Sequence, residues 1–137
     1  THNYLAQLKM SKFTLLAVDD NADSLELLKT ILDNSVNFNV LTATSASEAW
    51  QIVTQVQPDI LITDIVMPVE DGFSLIKKIR THVNEKISNI SAIAVTALAE
   101  TELAKYETSN GFNKLIFKPF DFDNLIENIR AMMPPYS

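Results

Sequence analysis

Short β-rich apolar runs alternate with stretches of helical spacing along this chain, and that alternation leaves few folds open. The runs are Phe13 to Val18, Phe38 to Ala43, Asp59 to Thr63, Ile90 to Val95 and Lys114 to Phe117, each of a length suited to a buried strand. Between and after them, apolar residues recur every three or four positions: Leu25, Leu28 and Leu32; Ala46, Ala49, Trp50 and Val53; Ile76, Ile79 and Val83; Leu125, Ile129 and Met133. These predict four helices. A fifth is predicted from about Glu100 to Thr108 on a weaker stripe of Leu103, Ala104 and Tyr106. Ser45 with Glu48 makes a capping-box pair, Asp121 sits where an N-cap belongs, and Asp71 precedes a helix beginning near Gly72.

Strand-helix alternation calls for a parallel sheet covered on both faces, and right-handed crossovers reduce the possible topologies to a handful. The expected fold is α/β: a doubly wound five-stranded parallel sheet in the flavodoxin-like order 2-1-3-4-5. The chain has 137 residues, 47% of them hydrophobic, enough for one core. The expected division is a domain over residues 13–133, an N-terminal extension, linker or expression remnant over 1–12, and a short tail over 134–137. Seventeen acidic against 11 basic side chains, a net charge of −6, argue against nucleic acid and an anionic membrane surface as partners. The absence of cysteine excludes disulfides and thiolate metal sites. No apolar run approaches the ~18 residues of a membrane span, and no signal-peptide pattern opens the sequence, so a cytoplasmic protein without membrane insertion is expected.

In an open parallel sheet, ligands bind at the carboxyl ends of the strands, where the strand order reverses. Strand one runs into Asp19 and Asp20, strand three into Asp64, strand four into Thr96 and strand five into Lys118. Strand two, an edge in the expected order, ends in Ala43 and Thr44 without a charge. Three carboxylates gathered at adjacent strand ends repel one another unless a cation neutralises them. Oxygen ligands alone point to a hard divalent ion, Mg²⁺ first, with Mn²⁺ or Ca²⁺ as substitutes in vitro. A carboxylate can also serve as the covalent nucleophile for a phosphoryl group. That reaction needs positioning and neutralisation of the phosphoryl oxygens, for which Asp20 through a metal, Lys118 and Thr96 are the available groups.

Singly, these residues have plainer roles. An Asp pair ahead of a helix is commonly a cap, a strand-end threonine bonds locally, and a lone lysine is a solvated charge. Asp71 is expected to cap a helix, His2 and His82 to lie on the surface, and Trp50 to be core. The agreement of four strand ends favours the functional reading over these.

The motifs resemble those of the response-regulator receiver family, over roughly residues 13 to 133. The resemblance rests on Val18-Asp19-Asp20-Asn21, on Asp64-Ile65-Val66-Met67-Pro68-Val69-Glu70-Asp71-Gly72, on Thr96-Ala97 and on Lys118-Pro119-Phe120. It implies that Asp64 accepts the phosphoryl group, that Asp20 ligates the metal directly and Asp19 through a water, and that the Val66 carbonyl completes the metal site. It further implies that Lys118, Thr96 and the Ala97 amide hold the phosphoryl oxygens, and that the Lys118–Pro119 bond is cis. The donor implied is a phosphohistidine on a histidine kinase or histidine phosphotransfer domain. Such a protein catalyses its own phosphorylation and dephosphorylation without turning over a free substrate. The segment from Asp64 to Phe73 is similar to receivers of hybrid histidine kinases.

Receivers often carry an aromatic residue three positions before the lysine; here it is Leu115. Phe117 shares its sheet face but lies nearer the active-site end. Val66 and Leu98 stand at the positions flanking an attacking water, and neither can hold one by hydrogen bonds, so slow self-dephosphorylation is expected. The output surface implied is the face of the weak fourth helix, strand five and the last helix, near Tyr106, Phe112 and Met132-Met133, and the same face is the expected contact of a homodimer. Three other readings compete. A haloacid dehalogenase-type hydrolase wants an Asp where Val66 stands. A flavodoxin wants a phosphate-cradling loop where Asp19, Asp20 and Asp23 would repel phosphate. The third is a phosphorylation-independent interaction module of receiver fold.

Overall fold

The structure, a computed structural model, describes residues 13–35, 38–103 and 111–133. Five strands, β1 (Phe13–Val18), β2 (Phe38–Ala43), β3 (Ile60–Asp64), β4 (Ser91–Thr96) and β5 (Lys114–Phe117), form one sheet in the order β2-β1-β3-β4-β5. All four strand pairs are parallel, as expected of strands joined by helical crossovers. The helices are α1 (Ala22–Ser35), α2 (Ala46–Val56), α3 (Gly72–Arg80), α4 (Glu85–Ser88), α5 (Glu100–Leu103) and α6 (Phe122–Met132).

The period-2 alternation of each strand divides the core into two layers. Leu15, Ala17, Ile62, Ile93, Val95 and Ile116 face one side and bury Leu25 and Leu32 of α1 with Leu125 and Ile129 of α6. Leu16, Val18, Leu61 and Ala92 face the other and bury Ala49 and Val53 of α2 with Leu75 and Ile79 of α3. β3 is buried through its first four residues because helices cover both its faces.

The caps follow the sequence. Asp71 accepts a hydrogen bond from the Ser74 amide at 2.9 Å and Asp121 one from Asp123 at 3.0 Å. Ser45 accepts from Glu48, but the Glu48 carboxylate returns to the amide of Thr44, one residue ahead of the cap. Asn21, not the preceding Asp pair, caps α1, accepting from Ser24 at 3.0 Å.

Several expectations need correction. β3 and β4 lie one residue later than expected: Asp59 instead bridges to β1 through its carboxylate and the Thr14 amide. The third helix stops at Arg80, and Val83, expected in its stripe, is 94% exposed. Asn84 then caps the unexpected α4, whose Ile87 fills the core. Of the helix expected from Glu100 to Thr108, Glu100–Leu103 is described, and Tyr106 lies outside the described residues, as do 1–12 and 134–137. His82 is half-buried, its ring 5.8 Å from that of Trp50, which is itself only partly buried.

At the amino ends of the strands, Arg80 donates to the carbonyls of Gly111, Ser88 and Ile90 and to the Asn113 side chain. Burial lowers its pKa, and those carbonyl dipoles satisfy the guanidinium fork in place of a carboxylate. This clamp fixes where β4 and β5 begin, and hence where their carboxyl ends emerge.

Candidate functional site

Strand register sets the site. Val18 pairs with both Ala43 and Thr63, Asp64 with Val95, and Thr96 with Phe117, so Asp19, Asp64, Thr96 and Lys118 emerge together at one edge. One oxygen from each of the Asp19, Asp20 and Asp64 carboxylates lies within 4.8 Å of the others. Asp19 and Asp64 are half-buried and Asp20 is exposed. Lys118 Nζ sits 2.9 Å from Asp64 Oδ2 and 3.6 Å from Asp19 Oδ2. One ammonium against three carboxylates leaves an excess of negative charge in a partly desolvated pocket. An all-oxygen donor set of this kind suits a hard divalent cation.

Burial pulls the Lys118 ammonium toward the neutral form. The hydrogen bond and charge of Asp64, joined by Asp19, outweigh it, so the Lys118 pKa is raised. A cation whose pKa is raised on folding stabilises the fold fully below its unfolded value and ceases to do so as pH climbs through the folded one. The ion pair therefore supports the fold at neutral pH and is lost only as pH climbs beyond the ordinary lysine range. Thermal melts of wild type against Lys118→Met should show a stability gap that is constant near neutrality and narrows in that alkaline range. A gap independent of pH would contradict this assignment.

The segment after β3 is built to hold Asp64. The Val66 amide donates to Asp64 Oδ1 at 3.3 Å, which brings the Val66 backbone against the carboxylate. The Glu70 amide donates to the Pro68 carbonyl at 2.8 Å across Val69, whose φ of 70° is the left-handed region that a β-branched residue rarely adopts. Glu70 is then tied to Lys78 of α3 at 2.9 Å, and the Gly72 amide closes the loop on the Ile65 carbonyl at 2.8 Å. Gly72 packs directly on the Asp64 backbone: a Cβ there would stand 2.6 Å from the Asp64 carbonyl oxygen.

Thr96 is fully buried, and its hydroxyl oxygen accepts from the Leu98 amide at 3.0 Å. The Lys118 amide donates to the Thr96 carbonyl at 2.7 Å, and the Lys118–Pro119 bond is cis. Ala97 lines the same cleft as Asp64 and Lys118. Leu115 pairs with Ala94 and Phe117 with Thr96, so Phe117 is the aromatic residue nearer the site. The structure thus brings Asp19, Asp20, Asp64, Val66, Ala97 and Lys118 together, with Thr96 bound to the cluster through its neighbours. Sequence reading missed the apolar wall of that cleft, made by Leu27 and Leu28 of α1 with Phe120 and Phe122. The one available signal was the pair of phenylalanines around Asp121.

Residues 15–130 match the family model of the response regulator receiver domain. The chain is 33% identical over 121 residues to an uncharacterised 14.6 kDa protein of Leptolyngbya boryana, covering 88% of this chain and 90% of that one. It is 31% identical over 122 residues to the response regulator Rre1 of Synechocystis, covering 88% of this chain and 51% of that one. Among solved structures it is similar to the response regulator TrrA of Thermotoga maritima, solved in complex with Mg²⁺-BeF. The TM-score is 0.77 at 27% identity, over 88% of this chain and 99% of that one. It also matches CheY4 of Vibrio cholerae in fold, with a TM-score of 0.77 at 23% identity over 89% and 99% of the two chains. Among the described residues no helix is long and apolar enough to cross a membrane. With its sheet order and the polar ends of β1, β3, β4 and β5 accounted for, the chain belongs to the response regulator receiver domain family.

Proposed function

We propose that Asp64 accepts a phosphoryl group from a phosphohistidine on a histidine kinase or histidine phosphotransfer domain, in an Mg²⁺-dependent reaction. The observation that carries this reading is the Asp64 carboxylate, held 2.9 Å from Lys118 Nζ with the Asp19 and Asp20 oxygens within 4.8 Å. Asp19, Asp20, Asp64 and the Val66 carbonyl would hold the metal. When bound, the cation supplies charge neutralisation for the carboxylates and the incoming phosphoryl oxygens. The Asp64 carboxylate is the nucleophile, and Lys118, already beside it, neutralises a phosphoryl oxygen once the Asp64 oxygen is esterified. The Thr96 hydroxyl and Ala97 amide donate to the remaining oxygens.

Thr96 also connects the site to its output. Its bond to the Leu98 amide fixes the loop entering α5, so drawing the hydroxyl toward a phosphoryl group redistributes that loop between two arrangements. Leu115 has no ring to rotate, so the change does not run through an aromatic residue at that position. The surface of α5, β5 and α6 is the proposed output face and homodimer contact, in a receiver domain spanning residues 13–133 in the cytoplasm.

The test is incubation with acetyl phosphate and Mg²⁺ followed by intact mass. One phosphoryl adduct is expected, dependent on metal, discharged by hydroxylamine and mapping to the peptide that holds Asp64. If small donors and a phosphorylated histidine partner both leave the mass unchanged, the protein is a phosphorylation-independent interaction module.

Val66, two residues after the acceptor, is 55% exposed and Leu98, two residues after Thr96, is half-buried, and neither apolar side chain can hold a water by hydrogen bonds. The adduct should survive desalting and decay over many minutes, and Val66→Asn, which supplies a donor and an acceptor, should shorten its life several-fold. Loss of the wild-type adduct within seconds would refute this.

A further inference from the structure

The two edges of the sheet are finished differently. β5 is four residues long, opens on Lys114 and runs into the cis bond at Pro119, features that discourage another strand from pairing with it. β2 is six residues long, contains no charged residue and no proline, and keeps an unbroken register against β1. The Ala43 carbonyl accepts from the Asp19 amide at 3.1 Å, so Ala43, Leu41 and Asn39 direct their backbone groups to β1. By alternation the amides and carbonyls of Phe38, Val40 and Thr42 point outward from the sheet. A groove of about 550 Å³ runs along this edge, with Lys29 and Asp33 of α1 on one side and Val56 of α2 on the other.

We propose that β2 pairs antiparallel with β2 of a second copy of this chain, joining two sheets into one across a two-fold axis at Val40. That register sets Phe38 opposite Thr42 and Val40 opposite itself, so the outward amides and carbonyls of the whole strand find partners. A shift by one residue would set outward groups against inward ones. A shift by two in one direction would set Phe38 against Thr44, whose amide is already bonded to the Glu48 carboxylate. Charge identifies the occupant as a second copy. The same axis lays the two α1 helices side by side and antiparallel. Lys29 and Asp33, one turn apart on the rim of the groove and each 43% exposed, pair at 2.6 Å within their own helix. Across the axis, Lys29 of each copy then meets Asp33 of the other, a match that an unrelated peptide strand would not supply. This contact lies at the opposite edge of the sheet from β5 and the proposed output face, so it does not depend on phosphorylation of Asp64.

Sedimentation equilibrium of the unphosphorylated full chain tests this. The weight-average mass should climb from that of one chain toward that of two as concentration rises, and should do the same in Asp64→Asn protein. Thr42→Pro removes an outward amide and leaves the ladder with β1 intact, so it should abolish the dimer. Lys29→Glu and Asp33→Lys each place like charges across the axis and should each weaken self-association about tenfold. Mixed in equal amounts, those two variant proteins should associate with each other at least as strongly as wild type does with itself, because opposite charges again face across the axis. A change confined to one copy cannot produce that recovery. A mass of one chain at every concentration reached, or a dimer that survives Thr42→Pro and both charge changes, would overturn the proposal.

Discussion

Asp64→Asn protein should show no phosphoryl adduct after incubation with acetyl phosphate and Mg²⁺, under conditions in which wild type is fully modified. Asparagine matches the carboxylate in shape, and its oxygen can still accept from Lys118, so the variant should fold. What it loses is the nucleophile, since an amide oxygen does not form a stable bond to phosphorus. The neighbouring carboxylates should not take over. Lys118 lies 2.9 Å from Asp64 but 3.6 Å from Asp19, and Asp20 is exposed, so the ammonium is aligned with one acceptor. The variant should also show a smaller rise in melting temperature on adding Mg²⁺, because a cation held by three carboxylates in the folded state stabilises it by linkage. An adduct of undiminished yield on the variant would place the acceptor elsewhere.

Gly72→Ala should be among the most damaging single-atom-scale changes the protein can receive. The added Cβ would stand 2.6 Å from the Asp64 carbonyl oxygen and 2.9 Å from the Ile65 Cα, both backbone atoms that cannot swing aside. Either α3 withdraws, breaking the hydrogen bond from the Gly72 amide to Ile65, or the carboxyl end of β3 shifts and carries Asp64 with it. Overpacking of this kind costs about 3 kcal/mol. For a domain of this size that corresponds to a melting temperature lower by roughly 10 °C. The phosphorylation rate should fall more than stability predicts, because displacing the Asp64 backbone disturbs its approach to Lys118. A variant with unchanged melting temperature and rate would show that the loop relaxes without strain.

These two positions also show how differently parts of the site were legible beforehand. Asp64 could be assigned from the sequence because it ends an apolar run whose neighbours in the sheet also end in polar groups. Gly72 could be placed at a helix start, but its close approach to Asp64 is a contact between the helix and the strand end, with no periodicity to announce it. The same holds for Arg80: a basic residue in the last turn of a helix reads as solvated, and its four acceptors come from two separate segments, one ahead of β4 and one ahead of β5. Val83 shows the opposite failure, continuing a helical spacing past the point where Thr81 and Asn84 end one helix and begin another.

The strand and helix pattern, the sheet order and the cluster of Asp19, Asp20, Asp64 and Lys118 were determined by the sequence alone. Local hydrophobic period sets each element, and the handedness of parallel crossovers leaves little freedom in how such elements are joined. Tertiary structure alone decided the carbonyl clamp on Arg80, the close approach of Gly72 to Asp64 and the apolar cleft beside Asp64. Each depends on the distance between side chains or backbone groups brought together by packing, and the cleft joins α1 to the loop after β5, whose residues are nearly a hundred positions apart. Periodicity records which face of an element is buried; it does not record what that face meets, or where the meeting leaves a space.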